Sequence, residues 1–393
     1  MSRVGDAERI AMRGLLDTVN QELGTPLSRA WEQAFWAVPR HRFLPRRMWV
    51  GAELEPCDQG ADPEAWLRHA YADESAVTQI NDGRVPHDDE QRWASCSASA
   101  PSVVFRMLDM LDVENGLKVL EIGTGTGWNA GLLAHRAGAE NVTTVEVDAA
   151  LSARAASHLR NAGLEPTVLS GDGAAGVPDG APYDRVIATC SVRRVPASWV
   201  RQTAPGGLIL TPWETPWFCY GLLRLTVGED GAASGRFAPH GAFMLMRNQR
   251  TDLRIYRDVV REEHVPTESS TTVSPWSVTG DAWAARFSIG LQLPDVWHAW
   301  HDNPDVPGVT SRLWLATTDT GSWAAVDWDG RTDERFTVWQ HGPRRLWNEV
   351  ETAHDRWRSA GEPGPGRYGM TVDTDGNHVA WLDDPDHPVA ATV

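Results

Sequence analysis

The stretch with the densest chemical information runs Val119-Leu120-Glu121-Ile122-Gly123-Thr124-Gly125-Thr126-Gly127. Val119 to Ile122 read as the end of a buried parallel strand. The three alternating glycines form a turn whose backbone can pass close to a ligand that a Cβ would hold away. A helix follows, with Leu132 and Leu133 on its apolar side. Strand, glycine turn and helix together make a nucleotide-sized hole at the carboxyl edge of a sheet. One strand later, Glu146 lies 21 residues past Gly125. Such folds place an acid at this distance to hold ribose hydroxyls.

The same spacing also excludes ligands. Gly-X-Gly-X-Gly is not the Gly-X-Gly-X-X-Gly of a dinucleotide site, and no Gly-Lys-Ser/Thr follows to cradle phosphates. A ligand with a ribose and no phosphate fits, and S-adenosylmethionine is the common one.

Composition narrows the partners. The formal charge is −17 over 393 residues, and a net acidic surface repels phosphate backbones, so nucleic acid is not expected. The four cysteines, Cys57, Cys96, Cys190 and Cys219, form no Cys-X-X-Cys pair and no zinc-spaced cluster. No metal is expected, and a reducing compartment suits them. The first thirty residues lack an apolar signal core and no run of about 18 apolar residues occurs. The expected location is the cytoplasm, with no membrane partner.

The elements that must position these residues can be read in order. Asp6–Leu23 has helical spacing, with Ile10, Leu15, Leu16 and Val19 as its stripe. Ser28 caps a second helix that stops before Pro39. Residues 51–96 are irregular and acidic, with a short strand ending at Ile80, a turn at Asn81-Asp82-Gly83 and a solvated loop at His87-Asp88-Asp89-Glu90. Ser99-Ala100-Pro101 leads into a helix over 102–111. Strands and helices then alternate through 149–210, as in a parallel sheet covered on both faces. Antiparallel strands are expected over 220–227 and 235–246. From Thr251 the texture changes, and eleven of the twenty tryptophans lie beyond residue 275. Short strands at 312–316 and 323–328 and a helix at 345–359 suggest a separate α+β domain. The predicted layout is a helical and irregular substrate-binding part (1–98), a Rossmann-like α/β core (99–250) and a C-terminal α+β extension (251–393).

The assembled motifs resemble the protein-L-isoaspartate O-methyltransferases. Val38-Pro39-Arg40-His41-Arg42-Phe43-Leu44-Pro45 is similar to that family's proline-bracketed segment. Ser99-Ala100-Pro101 looks like its serine-X-proline active-site motif, and Glu121 to Gly127 resembles its cofactor loop. Gly171-Asp172-Gly173, Ala181-Pro182-Tyr183-Asp184 and Pro205-Gly206-Gly207 fall in the family's order. There are departures. An acidic insertion, Asn81 to Arg92, replaces the short glycine-rich segment usual before the serine. Cys190-Ser191-Val192-Arg193-Arg194 stands where small apolar residues are usual. Family repair enzymes generally end near the point where residues 251–393 begin. This extended architecture resembles actinobacterial members associated with ribosomally made peptide natural products (graspetides, lanthipeptides, lasso peptides).

The resemblance implies a class I S-adenosylmethionine-dependent methyltransferase fold and a chemistry. A carboxylate displaces the methyl of the sulfonium in line, giving a methyl ester and S-adenosylhomocysteine. An Asp or isoAsp side chain is already ionised at pH 7 and needs no general base. Alignment and desolvation are the enzyme's task. Ser99 is expected to orient the substrate carboxylate. Ser97, Glu121, Gly123, Thr124, Gly125, Thr126, Gly127, Glu146, Val147, Asp172 and Gly173 are the expected cofactor-binding set. Within it Glu146 takes the ribose and Asp172 the adenine amino group. His41, Arg193 and Arg194 are the candidates for peptide contact, His41 also reading as a brace for the proline segment. The expected partner is an Asp-containing peptide, a cyclised precursor among the candidates, and the ester can close to an aspartimide and open to Asp or isoAsp. General isoaspartyl repair is the alternative. A cofactor-binding scaffold without turnover is the reading from another class.

Overall fold

The computed structural model describes residues 5–84, 91–239 and 241–389 and begins with two helices, α1 (Asp6–Leu23) and α2 (Arg29–Ala37). The stretch His87 to Glu90, read as solvated loop, lies outside the described residues. Helix α1 buries Met12, Leu15, Leu16 and Val19. Ile10, expected on that stripe, is 74% exposed. Positions 12, 15, 16 and 19 follow the i, i+3, i+4, i+7 rule, and Ile10 points two residues, about 200°, away from Met12. The Ser28 hydroxyl accepts from the Trp31 amide at the start of α2.

The region expected to be irregular contains a four-stranded antiparallel sheet. Its strands are β1 (Arg47–Val50), β2 (Glu55–Asp58), β3 (Ala76–Ile80) and β4 (Ala94–Ala98), in the order β2-β1-β3-β4. Helix α3 (Pro63–Ala70) lies between β2 and β3, capped by Asp62. Strand β4 reads Ala-Ser-Cys-Ser-Ala, with none of the large alternating side chains that betray a strand. The small residues have a structural reason. A Cβ placed on Gly125 would lie 3.5 Å from Cys96 Sγ, so β4 runs directly against the glycine turn.

Helix α4 (Pro101–Leu111) opens on a proline, which tolerates the first helical turn. Then come β5 (Val119–Ile122), α5 (Trp128–Ala137), β6 (Val142–Glu146), α6 (Ala149–Asn161), β7 (Thr167–Ser170), β8 (Tyr183–Ala188), α7 (Ala197–Gln202) and β9 (Thr203–Glu214). The strands pair in parallel in the order β7-β6-β5-β8-β9. Every residue of β5 is buried, as a strand covered on both faces must be. Strand β10 (Cys219–Val227) extends the sheet antiparallel to β9, and β11 (Ala233–Ala238) pairs antiparallel with β10. Strand β11 stops at Ala238, well short of the expected 246. Residues 242–250 leave the sheet, with one short helical turn at Arg247–Gln249.

Beyond residue 250, β12 (Thr267–Thr271), β13 (Val296–Asp302), β14 (Ser311–Thr317), β15 (Trp323–Trp328) and β16 (Phe336–His341) form an antiparallel sheet in the order β12-β16-β15-β14-β13. It is accompanied by α8 (Pro275–Thr279), α9 (Trp283–Gln292) and α10 (Leu346–Ser359). The expectation of a body apart needs correcting. The last hairpin, β17 (Tyr368–Val372) and β18 (His378–Leu382), returns to pair with β11 and completes a nine-stranded sheet. The aromatic packing is continuous as well. Trp213 of β9 lies 5.0 Å from Phe237 of β11, Phe237 lies 5.1 Å from Phe287 of α9, and Phe287 lies 5.8 Å from Tyr368 of β17. Antiparallel returns carry no sequence mark at their edge, because β17 looks like any other short strand. None of the described helices is long and apolar enough to cross a membrane.

A chain ending at Arg250 uncovers Trp213, Leu225 and Phe237, all nearly fully buried here. It is expected to aggregate or to lose cooperative unfolding. Calorimetry giving a single transition at the full-length melting temperature would contradict a shared core.

Candidate active site

The turn after β5 is built by backbone conformation. Gly123, Gly125 and Gly127 have φ of 94°, 53° and 88°, a left-handed region that other L-residues rarely adopt. A Cβ on Gly123 would also approach Thr189 Oγ1 to 2.8 Å. The Gly123 amide donates to the Val145 carbonyl at 2.9 Å, which ties the turn to β6. At the end of β6, the Glu146 carboxylate accepts from the Gly125 amide at 2.9 Å and from the Asp148 amide at 3.1 Å. The acid is thereby fixed beside the glycines. Gly173, after β7, is set close against the turn, since a Cβ there would meet Ile122 Cγ2 at 2.5 Å.

These groups face one cavity of about 870 Å3, within the usual range for small-molecule sites. Its wall includes Ser97, Ser99, Gly123, Thr124, Gly125, Thr126, Glu146, Val147, Asp172 and Gly173, residues expected at the site and drawn from four separate stretches of chain. Ser99 is half-buried, between the end of β4 and the first turn of α4. Asp172 is exposed and accepts from the Ala174 amide at 3.0 Å and from Asn248 Nδ2.

Five expected site residues lie elsewhere. Glu121 is fully buried beneath the turn and off the cavity wall. Its carboxylate accepts from Asn129 Nδ2 at 2.7 Å and Thr144 Oγ1 at 2.5 Å. Burial pushes its acid up to about 7 against the opposing hydrogen bonds from Thr144 and Asn129. Its side chain points away from the ligand side because residues alternate along β5. Gly127 sits behind the turn against Ala155 of α6. His41 Nδ1 lies 2.5 Å from the Tyr71 hydroxyl, a brace within the proline segment, and burial lowers its basicity. Arg193 faces Glu214 at 3.7 Å and donates to Thr251 Oγ1 at 2.9 Å. Arg194 donates to the Gly376 carbonyl at 3.0 Å. The arginine pair therefore ties the loop after β8 to later chain and does not face the cavity. Sequence alone could not show this, because the partners lie up to 182 residues away.

Two features were missed. The first is Arg40, only 1% exposed. Its guanidinium donates to the carbonyls of Ala70, Ala72, Glu74, Ala98 and Ser99 at 2.9 to 3.2 Å. It also lies over the Trp128 ring, 5.6 Å from its centroid. Burial lowers its pKa to about 10, with Asp73 opposing. The motif that contains Arg40 was the available signal. The second is the segment 242–250, whose Phe243 to Met246, Arg247, Asn248 and Arg250 form a wall of the cavity. No motif marks it.

Two measurements test this construction. Lysine cannot span five carbonyls, so Arg40→Lys is expected to cost on the order of 3 kcal/mol in denaturant unfolding. An unchanged midpoint would count against the clamp. Glu121 is the pH case. Its folded pKa is raised, so its contribution to stability is whole below the ordinary carboxylate range and is lost as pH rises through about 7. Glu121→Gln removes that loss, and its melting temperature is expected to vary less than wild type between about pH 5 and pH 8. Parallel pH profiles would refute the raised acid.

A glycine turn, a strand-end acid and a serine before an α4 proline, all on one cavity, invite comparison with known proteins. Residues 63–219 match the family model described as protein-L-isoaspartate(D-aspartate) O-methyltransferase (PCMT). The protein-L-isoaspartate O-methyltransferase of Methanothermobacter thermautotrophicus is 42% identical over 193 residues, 49% of this chain and 74% of the relative. That of Ignicoccus hospitalis is 40% identical over 123 residues, 31% of this chain; there the chain spans only 58% of the relative's length. A solved structure titled protein-L-isoaspartate O-methyltransferase aligns over 95% of this chain and all of its own, at a TM-score of 0.55 and 20% identity, a likeness of fold that reaches into the extension. At 42% identity the chain covers 74% of the Methanothermobacter relative, and on that match the chain belongs to the protein-L-isoaspartate O-methyltransferase family.

Proposed function

We propose that the protein is an S-adenosylmethionine-dependent carboxyl O-methyltransferase that esterifies an Asp or isoAsp side chain in a peptide. The observation that carries this reading is the meeting of Ser99 with the glycine turn, Glu146 and Asp172 on one cavity wall. The residues suit the methyl donor. The turn gives close backbone approach, and Glu146 would accept from ribose hydroxyls and Asp172 from an adenine amino group. When bound, the donor would supply a sulfonium methyl: an oxygen–carbon bond to the carboxylate forms as the carbon–sulfur bond breaks, and the neutral thioether leaves with the electron pair.

The chain's own part is placement. Ser99 Oγ donates a hydrogen bond to one carboxylate oxygen and leaves the other to attack. No proton has to be removed, since the acid is ionised at neutral pH. The apolar residues Val103, Val104 and Met107 of α4 and Phe243 to Met246 line the cavity beside this point. They exclude water, which strengthens the attack of a desolvated oxygen. Arg40 holds the Ser99 carbonyl at 3.1 Å and so positions the serine without touching the reacting atoms.

For the acceptor, we infer an aspartate in a modified ribosomal peptide, whose ester closes to an aspartimide and opens to Asp or isoAsp. The reading rests on the likeness of the extended architecture to members associated with such peptides. General isoaspartyl repair is the second reading, supported by the names of the relatives. The fold of the extension does not separate the two, since the likeness to a structure titled protein-L-isoaspartate O-methyltransferase includes it.

Mass spectrometry with methyl-labelled donor tests both levels. Label in a cyclised Asp peptide supports the first acceptor, and label confined to a linear isoAsp peptide supports repair. Ser99→Ala is expected to lower turnover by about 10²-fold or more, with donor affinity kept. A Ser99→Ala enzyme with wild-type turnover would remove the serine from the mechanism.

A further inference from the structure

The wall formed by residues 242–250 is fastened differently along its two flanks. On one side the bonds are backbone bonds. Met246 N donates to the Ser191 carbonyl and Ser191 N to the Met244 carbonyl, both at 2.9 Å. The Gln249 carboxamide oxygen accepts from the Arg193 and Arg194 amides at 2.7 and 3.0 Å. On the other side the contacts are between charged and polar side chains. Arg247 Nε lies 3.2 Å from Asp82 Oδ1, and Arg247 Nη2 lies 3.4 Å from Asp148 Oδ2 and 3.1 Å from Gln79 Oε1. Arg250 Nη1 lies 3.0 Å from Asp82 Oδ1, with its guanidinium over the Trp93 ring. Asn248 reaches across to both oxygens of Asp172.

Asp82 is delivered to the two arginines by unusual backbone. Asn81, Asp82 and Gly83 are left-handed in succession, with φ of 50°, 52° and 80°. Successive left-handed residues persist only where the surroundings enforce them, and such places cluster at ligand clamps. The enforcement is visible. The fully buried Asn81 side chain donates to the Gln91 carbonyl and accepts from the Trp93 amide. Asp148, the other acid on Arg247, follows Glu146 by two residues and caps α6. The charged flank therefore lies along the acids read as holding adenosine.

We propose that residues 242–250 are a strap that closes over the adenosine end of the cavity, hinged by backbone bonds to 191–194 and latched by Asp82 through Arg247 and Arg250. This rests on the donor-binding reading above. Opening breaks the latch and the Asn248–Asp172 contact, and leaves the hinge in place. The latch sets how long the donor and its demethylated product stay bound. Its ion pairs are partly exposed, at 27% to 32% of the side chains, so salt weakens them.

The test is release of tritiated S-adenosylhomocysteine from the full-length protein, chased with unlabelled compound. Wild type is expected to release faster as salt is raised. Asp82→Asn is expected to release about 5- to 10-fold faster than wild type at low salt and to show a weaker salt dependence, since only the Arg247–Asp148 pair of that flank is left. Circular dichroism and a melting curve check that the variant is folded, and the salt series on wild type serves as a reading that needs no variant. Release rates that are equal in the two proteins and indifferent to salt overturn the strap alone. Wild-type protein that takes up no S-adenosylhomocysteine overturns the donor reading and the strap with it.

Discussion

One buried cation organises the approach to the cavity. Among the described residues Arg40 forms no ion pair with a carboxylate; its charge is met by the partial charges of five main-chain carbonyls that arrive from two directions. Three belong to the last residue of α3 and the loop after it, and two to the last residue of β4 and the serine that follows. The guanidinium's planar fork is what allows one side chain to serve both. The alternative for those carbonyls is to be buried without donors, which costs each of them a large part of a hydrogen bond. The loop, the strand end and the serine that follows are therefore held as one piece. Asp73 in the same loop accepts from the Ser102 amide at 2.7 Å, so the start of α4 is fixed to it as well. Trp128, beneath the cation, donates its indole N–H to the Val38 carbonyl and opens the helix that follows the glycine turn. The two halves of the cavity are joined through this single layer.

The acids of the site divide by whether they reach the cavity. Glu146, buried at 7% exposure, and the exposed Asp172 stand at strand ends with backbone donors and line it. Glu121, two residues before Gly123, is sealed beneath the turn. Hydrogen bonds from Asn129 and Thr144 offset part of the cost of burying it. Thr144 Oγ1 in turn lies 2.6 Å from Thr124 Oγ1, so this buried acid helps set the turn's height above the sheet. The acid at that position thus supports the turn from below.

Much of this was legible in sequence because local rules and topology agree there. The parallel strands, the glycine turn and Glu146 follow from periodicity and spacing, and helix α6 has the bounds its pattern gives. Ser99 could be found only through its motif, since a serine before a proline reads equally well as a turn. What stayed hidden depends on distant partners. Arg193 and Arg194 look like a cationic clamp until Glu214, Thr251 and Gly376 are seen to occupy them. The segment 242–250 has one short helical turn and no signature, so nothing local marks its place over the cavity. The tryptophans divide similarly. Trp314, Trp323, Trp347, Trp357 and Trp381 are buried while Trp276 and Trp283 remain well exposed, and composition does not distinguish them.

The return of the final hairpin to β11 has a consequence for biosynthesis. Strand β11 ends at Ala238 and its neighbour β17 begins at Tyr368, 130 residues later. At a ribosomal pace of about 5–20 residues per second, the edge of the half-built sheet waits roughly 10 s for its partner. Through that interval it offers unpaired amides and carbonyls next to the apolar side chains of Phe237 and Leu225, the pattern that recruits other nascent chains. The nascent polypeptide thus meets its greatest aggregation hazard after the nucleotide-type unit has been made and before the last two strands have emerged.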